Sequence, residues 1–359
     1  MKNLVQVKHP GVLLLEELTK QGMKQKELAV RTGVSEKHIS TIVNGTKDIS
    51  VSFAHKLDIA LGQSSGTWLK HQSDYDLYNA KLEEENGISS DELSILKQLK
   101  EIVDFFLEKG FMHNHCGDSE KVLQLRKLLC VNSLTAIPNI TYSAAYRTQM
   151  NNNTAVDVYI LFAWQRMCEL LTDSYKVELP FENSKLENLL PNIKREMFTE
   201  DPNEMIGNLK RIFSKCGVAF DVVHHFKGAP TQGMIKKTSD GKVVLCLTIR
   251  GKKADSFWFS LFHEVGHLMN GDIDARFVDF DSLKGTREEA ADHFARDTLI
   301  DPVKYKQLIS TGRYQQLDTI KRFSDYVGVP YWITIGRLQS DGWLEWSRFA
   351  NEAPKYGWA

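Results

Sequence analysis

No apolar run in this chain of 359 residues approaches the roughly 20 residues that a membrane-crossing helix needs. The opening Met1-Lys2-Asn3-Leu4 does not read as a secretory leader either. Cysteine is scarce: Cys116, Cys130, Cys168, Cys216 and Cys246 are odd in number, scattered and never spaced C-x-x-C. Such usage leaves no disulfide framework and points to buried thiols in a reducing cytoplasm. An excess of either sign of charge is missing as well. With 45 basic against 46 acidic residues, any affinity for nucleic acid must come from a local patch. Repeats and low-complexity tracts are absent. What remains is an ordinary globular composition, long enough for two or three domains.

The stretch with the most chemistry is His263-Glu264-Val265-Gly266-His267, preceded by Phe257-Trp258-Phe259-Ser260-Leu261-Phe262. On a helix His263 and His267 are i and i+4, so both imidazoles leave one face. Two neutral imidazoles one turn apart can grip Zn²⁺, and Glu264 between them is placed to take a proton from water. Trp258, Leu261, Phe262, Val265, Leu268 and Met269 give the other side an apolar stripe, which predicts a core helix. Asn270-Gly271 supplies its stop.

A third ligand lies 21 residues on, in Thr286-Arg287-Glu288-Glu289-Ala290-Ala291-Asp292-His293. Thr286 and Glu289 have the spacing of a capping box, with Thr286 as N-cap. Glu288 shares a face with Ala291, Asp292 and Ala295, whereas Glu289 shares one with His293 and Arg296. An outward Glu289 leaves Glu288 to enter the core, where an unpaired charge is costly and a metal would remove the cost. Asp292, one turn later, is placed to accept the outer N–H of a ligand histidine.

These residues carry a family resemblance. His263-Glu264-x-x-His267, followed by Glu288-x-x-Ala291-Asp292-x-Phe294-Ala295-Arg296-Asp297-Thr298-Leu299-Ile300, resembles the ImmA/IrrE family of zinc-dependent endopeptidases. Leu247-Thr248-Ile249-Arg250 and Asp255-Ser256-Phe257-Trp258-Phe259 look like that family's approach to its metal helix. The likeness spans roughly Leu209 to Leu299. Many relatives carry a second glutamate where Ala290 stands, so Glu288 is the better third ligand and Glu289 the alternative.

Near the N-terminus, His9-Pro10-Gly11 opens a helical pattern with Val12, Leu15 and Leu18 inward. A second helix spans about Gln25 to Thr32, Gly33-Val34 turns, and Ser35 caps a third helix through about Asn44. Two short helices about a glycine turn form a helix-turn-helix pattern, the second presenting Glu36, Lys37, His38, Ser40, Thr41 and Asn44 outward. Gln25 and Ser35 join them as candidate DNA contacts, and Lys37 and Lys47 are suited to phosphates. His9-Pro10-Gly11, Gln25-Lys26-Glu27-Leu28-Ala29, Gly33-Val34-Ser35, Ile39-Ser40-x-Ile42-x-Asn44-Gly45 and Trp68-Leu69 resemble the HigA-type subgroup of the XRE helix-turn-helix family. That resemblance implies DNA binding as a homodimer, on an operator in the chain's own promoter, and a small toxin as partner. Residues 1–60 carry nine basic against six acidic side chains, so non-specific DNA affinity should be modest.

The expected architecture is multidomain and mainly α. A helix-turn-helix bundle occupies residues 1–80, with a linker in the charged run Lys81 to Ser90. Helical support follows over 81–205, an α+β zincin-like metallopeptidase core over 206–302, and a C-terminal helical extension over 303–359. Helices are expected at Asp91–Phe111, Glu120–Val131, Val156–Thr172, Leu186–Phe198 and Asn203–Cys216, with a loop over Asn139 to Thr154. Beyond Pro302, helical stretches are expected at Val303–Ile309, Tyr314–Val327 and Tyr331–Gln339. Val218–Val223, Gly233–Lys237 and Val243–Ile249 read as strands of a small antiparallel sheet, with a hairpin turn at Ser239-Asp240-Gly241. Its free edge could hold an extended peptide, and Gly233 would permit close backbone approach. His113-Asn114-His115-Cys116 reads as a solvated loop.

The functional expectation is a cytoplasmic DNA-binding regulator with its own zinc endopeptidase, cutting a regulatory protein, a repressor or itself. His263, His267 and Glu288 hold Zn²⁺ and Glu264 is the general base. By chemistry His224, His225, His293 and Arg250 are candidates to stabilise the oxyanion. The alternative is a HigA-like antitoxin whose metal domain holds a ligand or partner without proteolysis.

Overall fold

The computed structural model describes residues 7–114, 117–140, 156–178, 180–229, 231–248, 253–273, 277–280 and 286–357. His115-Cys116, Arg250 and nearly all of the Asn139–Thr154 stretch lie outside them. The chain divides into two compact units, Met1–Ser94 with His115–Gln124, and Ile95–Asn114 with Leu125–Ala359.

The first unit is helical: α1 Pro10–Lys20, α2 Gln25–Thr32, α3 Glu36–Val43, α4 Val51–Ala60 and α5 Thr67–Asn86. Leu14, Leu18, Leu28, Ile39, Ile42, Phe53, Leu57 and Trp68 meet in one core. Val12 and Leu15, expected inward, are exposed instead, because Leu14 and Leu18 are the α1 leucines that enter the core. Gly33 ends α2 in the left-handed region at φ 67°, and the Ser35 hydroxyl accepts the His38 N–H to start α3. His9 caps α1 by accepting the Gly11 N–H on its Nδ1. A Cβ on Gly11 would lie 2.8 Å from the Ile42 carbonyl carbon, so glycine is what lets α1 rest on the end of α3. The run expected as a linker is helical as far as Asn86. Its Lys and Glu residues favour helix, and only Gly87 stops it.

Two further helices precede the second unit's sheet: α6 Ser90–Gln98 and α7 Lys100–Glu108. The expected single helix over Asp91–Phe111 is broken at Leu99, whose backbone leaves the helical region at ψ 12°. The boundary between units falls within α6 and again within α8, Asp118–Leu129.

In the second unit come α9 Val158–Thr172, α10 Asn183–Arg195, α11 Pro202–Ser214, then β1 Val218–Val223, β2 Thr231–Lys237 and β3 Val243–Thr248. After these follow α12 Ala254–Asn270, β4 Phe277–Phe280, α13 Thr286–Leu299, α14 Pro302–Ser310, α15 Leu317–Val327 and α16 Tyr331–Ser340. The four strands form one sheet in the order β1-β3-β2-β4. The β2–β3 hairpin turns at Gly241, at φ 87°. The sheet is mixed rather than antiparallel, because β3 returns between β2 and β1 and pairs in parallel with β1. All six residues of β3 are buried, which is why Val243-Val244-Leu245-Cys246-Leu247 is continuously apolar rather than alternating. The β2 edge is not free either: β4 pairs with it, Gly233 opposite Asp279.

Leu245 and Leu247 face a core shared with Phe213, Trp258, Leu261, Phe262 and Val265. On the opposite face the Cys246 thiol meets the Cys168 carbonyl of α9. A segment near the C-terminus caps the start of α12: the Ala254 N–H donates to Pro354, and Trp258 Nε1 donates to the Tyr356 hydroxyl at 2.8 Å. Among the described residues no helix is long and apolar enough to cross a membrane.

Candidate metal centre

Helix α12 is a core helix whose polar residues are the exception. Trp258, Leu261, Phe262, Val265 and Leu268 are fully buried, and so are Glu264 and His267, with His263 nearly so. Burying three ionisable side chains in one turn would cost several kcal/mol without compensation, so their partners decide what the turn is for.

The helical repeat brings the two rings edge-on, centroids 4.8 Å apart, with Nε2 of His263 3.1 Å from Nε2 of His267. From α13, Glu288 places Oε2 3.2 Å from the His263 Nε2 and 3.4 Å from the His267 Nε2. These are the three ligand-type atoms that converge among the described residues, all within 4.8 Å of one another. The approach depends on small residues where the helices meet. A Cβ on Gly266 would fall 3.0 Å from the Ala291 Cα and 3.2 Å from the Phe294 Cβ.

Each ring is fixed from behind. His263 Nδ1 lies 2.8 Å from Asp292 Oδ1, and His267 Nδ1 lies 3.1 Å from Asp272 Oδ2. An ionised carboxylate can only accept, so each Nδ1 carries a proton, and Nε2 is the atom by which each ring faces the other ring and Glu288. Burial works against the Glu288 charge, but hydrogen bonds from the two histidines and their charge outweigh it, holding the carboxyl at about 2. For His267, burial lowers the pKa, yet contact with Glu288, the charge of Glu264 and the Asp272 bond leave it raised. A negative, buried pocket that favours a positive occupant is the electrostatic result.

Glu264 brings its carboxylate against the sheet, near enough for its charge to act on His267. A Cβ on Gly233 of β2 would sit 2.6 Å from the Glu264 Cδ. Gly233 therefore makes room for the Glu264 carboxylate itself. Glu289 is exposed one residue from Glu288, and His293 is exposed on the same side of α13. The helix already begins at Thr286. His224 stacks edge-on against Phe226, centroids 5.0 Å apart, just past β1. Arg250 lies outside the described residues. Asp272 was not singled out by sequence reasoning. Its only signal is its place directly after the Asn270-Gly271 stop.

The second candidate surface is α3. Ser35, Glu36, Lys37, Asn44 and Lys47 are exposed, with Gln25, His38, Ser40 and Thr41 partly so. Several already have local partners. Ser35 caps the helix, the Thr41 hydroxyl donates to the His38 carbonyl at 2.7 Å, and Asn44 Nδ2 donates to the Ser40 hydroxyl at 3.3 Å. His38 leans edge-on against Phe53 and meets Lys47 Nζ at 3.3 Å. Burial, then Lys47 and Lys56, push its pKa down and keep the ring neutral. Lys56, on α4, is a cation of this surface that the helix pattern alone did not pick out.

Residues 14–69 match the helix-turn-helix family. The N-terminal unit contains a helix-turn-helix domain. That match spans much less than half of the chain. Among solved structures, an antidote protein of a plasmid maintenance system from Nostoc punctiforme shares 30% identity, covering 22% of this chain and 87% of its own, at a TM-score of 0.21. The Pseudomonas aeruginosa antitoxin HigA, solved with the higBA promoter, shares 28% over 24% of this chain and 98% of its own, at 0.22. An addiction module antidote protein of the HigA family from Coxiella burnetii shares 27% over 23% and 96%, at 0.21. No curated protein matches the chain.

Proposed function

We propose that this chain is a DNA-binding regulator that carries a zinc-dependent endopeptidase, and that its substrate is a regulatory protein, either a repressor or the chain itself. The helix-turn-helix match supports the first half.

The second half rests on one observation: the Nε2 atoms of two rings, each braced by a carboxylate at its Nδ1, face each other at 3.1 Å beside a third ligand-type group, Glu288. Two ring nitrogens and a carboxylate oxygen this close need positive charge among them, which a proton or a metal ion supplies. Donors held tetrahedrally at about 2.0 Å from zinc stand about 3.3 Å apart; the separations here are 3.1, 3.2 and 3.4 Å. A buried polar cluster elsewhere in the unit offers a contrast. Asp221 accepts from Tyr175 at 2.6 Å and pairs with Lys210 at 2.7 Å, so its charge is satisfied by protein alone. The His263–His267–Glu288 set fits zinc.

His263, His267 and Glu288 would hold the ion. When bound, it supplies Lewis acidity that acidifies water and polarises a peptide carbonyl. Glu264 would be the proton carrier, accepting a proton from the attacking water and returning it to the departing amine. Gly233 of β2 leaves room for its carboxylate between α12 and the sheet. Asp292 and Asp272 keep both rings in the tautomer that presents Nε2.

A second reading has an observation of its own. The β2 edge beside Gly233, where an extended peptide would pair, is taken by β4. This favours a HigA-like antitoxin or repressor whose metal site serves a ligand or partner, a small toxin included, without cutting. The two separate on one experiment. The zinc-loaded chain is incubated alone and with a random peptide library, and products are identified by mass spectrometry, beside Glu264→Gln. The endopeptidase reading expects cleavage by the wild type and none by Glu264→Gln, at equal zinc content. Equal cleavage by both would remove Glu264 as general base, and no cleavage by either would favour the second reading.

A further inference from the structure

Asp272 occupies an unusual position. It belongs to neither metal-site helix but to the turn that ends α12. Gly271 takes the left-handed conformation at φ 79° and folds the chain back, so the Asp272 N–H donates to the His267 carbonyl at 3.0 Å. The same turn brings the Asp272 carboxylate to the ring of that histidine, Oδ2 3.1 Å from Nδ1. The residue thus holds His267 at both its main chain and its side chain. Its other oxygen, Oδ1, lies 3.5 Å from the Nε of Arg287, the residue directly before Glu288 on α13. The Asp272 side chain is largely buried, at 11% exposure, while that of Asp292 behind His263 is 40% exposed.

We propose that Asp272 is the positioning residue of this site: it fixes the proton of His267 on Nδ1 and, through Arg287, ties the turn that ends α12 to the turn that begins α13. The proposal rests on the metal reading above. A neutral histidine free of such a partner favours the proton on Nε2, the nitrogen that here faces His263 and Glu288. With Asp272 in place Nδ1 is engaged and Nε2 is held toward His263 and Glu288 before any ion arrives, so the ordering cost is met in folding rather than in binding. Asp292 does this for His263 from the helix that also carries Glu288. Asp272 does it for His267 from the chain between the helices, so the two carboxylates brace the pair from different elements. Arg287, itself 72% exposed, adds a weaker ionic link at the residue next to Glu288.

The test uses the full-length chain as wild type, Asp272→Asn, Asp272→Ala and Arg287→Ala. Zinc affinity is read by competition with a chelator, and the tautomer of His267 by NMR of metal-free protein labelled with ¹⁵N-histidine. Asp272→Ala should bind zinc about 10- to 100-fold more weakly and show His267 protonated on Nε2. Asp272→Asn, whose amide oxygen still accepts from Nδ1, should keep the Nδ1 tautomer and lose less affinity. Arg287→Ala should weaken zinc less than Asp272→Ala and leave the tautomer unchanged. Wild-type zinc affinity in Asp272→Ala, or an unaltered tautomer there, would overturn the proposal. Should the wild type itself bind no zinc, the metal reading fails, while the tautomer series still decides whether Asp272 orients His267.

Discussion

The helix-turn-helix surface and the ring pair on α12 handle polar side chains in opposite ways. On α3 the polar groups stand in water, where each loses little if its partner is absent, and several bond within their own helix. On α12 they are buried among Trp258, Leu261 and Val265, where an unsatisfied group costs several kcal/mol. The first arrangement can be altered residue by residue and still fold. The second is bound up with the packing that surrounds it. A surface therefore reveals its use through a pattern of side-chain types, whereas a buried cluster reveals it through what each atom has to face.

This contrast can be broken or sharpened by substitution. The largest effect is expected at the helix crossing. In Gly266→Leu the side chain must displace Ala291 and Phe294, separating Glu288 from the rings. Zinc content should fall to background, with a loss of about 1–3 kcal/mol in unfolding free energy. Retained zinc would mean the helices need not touch there. Next comes Gly11→Ala in the other unit, where the new methyl overlaps the Ile42 carbonyl. Hydrogen exchange should speed up across α1 and α3 by an opening energy of about 1–3 kcal/mol, with zinc content unchanged. Uniform acceleration through α12 as well would show that the two regions are not separable in this way. The smallest effects belong to α3 and its flank. Lys37→Ala and Lys47→Ala should leave stability unaltered and each lower the salt slope of DNA binding by about one. An unchanged slope in both would move the phosphate contacts elsewhere.

The parts of the site visible in the sequence are those set by local helical geometry. The i, i+4 spacing fixes which face His263 and His267 share whatever packs around them, and the same periodicity separates an inward Glu288 from an exposed Glu289. Asp292 lies within reach for that reason too. Asp272 stayed hidden because its position depends on a left-handed residue and on a fold-back that no periodicity encodes. The sheet shows the same division. The hairpin at Gly241 is local and legible. Parallel pairing of β1 with β3, and the covering of β2 by β4, depend on contacts between distant segments. In the first unit the helix starts and stops at Ser35 and Gly33 follow from cap chemistry. The role of Gly11 emerges only once Ile42 is seen against it.

The central claim is that the ring pair and Glu288 hold a metal ion. Its most direct test is the metal content of the purified full-length chain by mass spectrometry, beside Glu288→Ala and Glu289→Ala. About one zinc per chain in the wild type and in Glu289→Ala, lost in Glu288→Ala, is the predicted result. No metal in any sample after zinc reconstitution would contradict it and leave a helix-turn-helix protein without a metal centre.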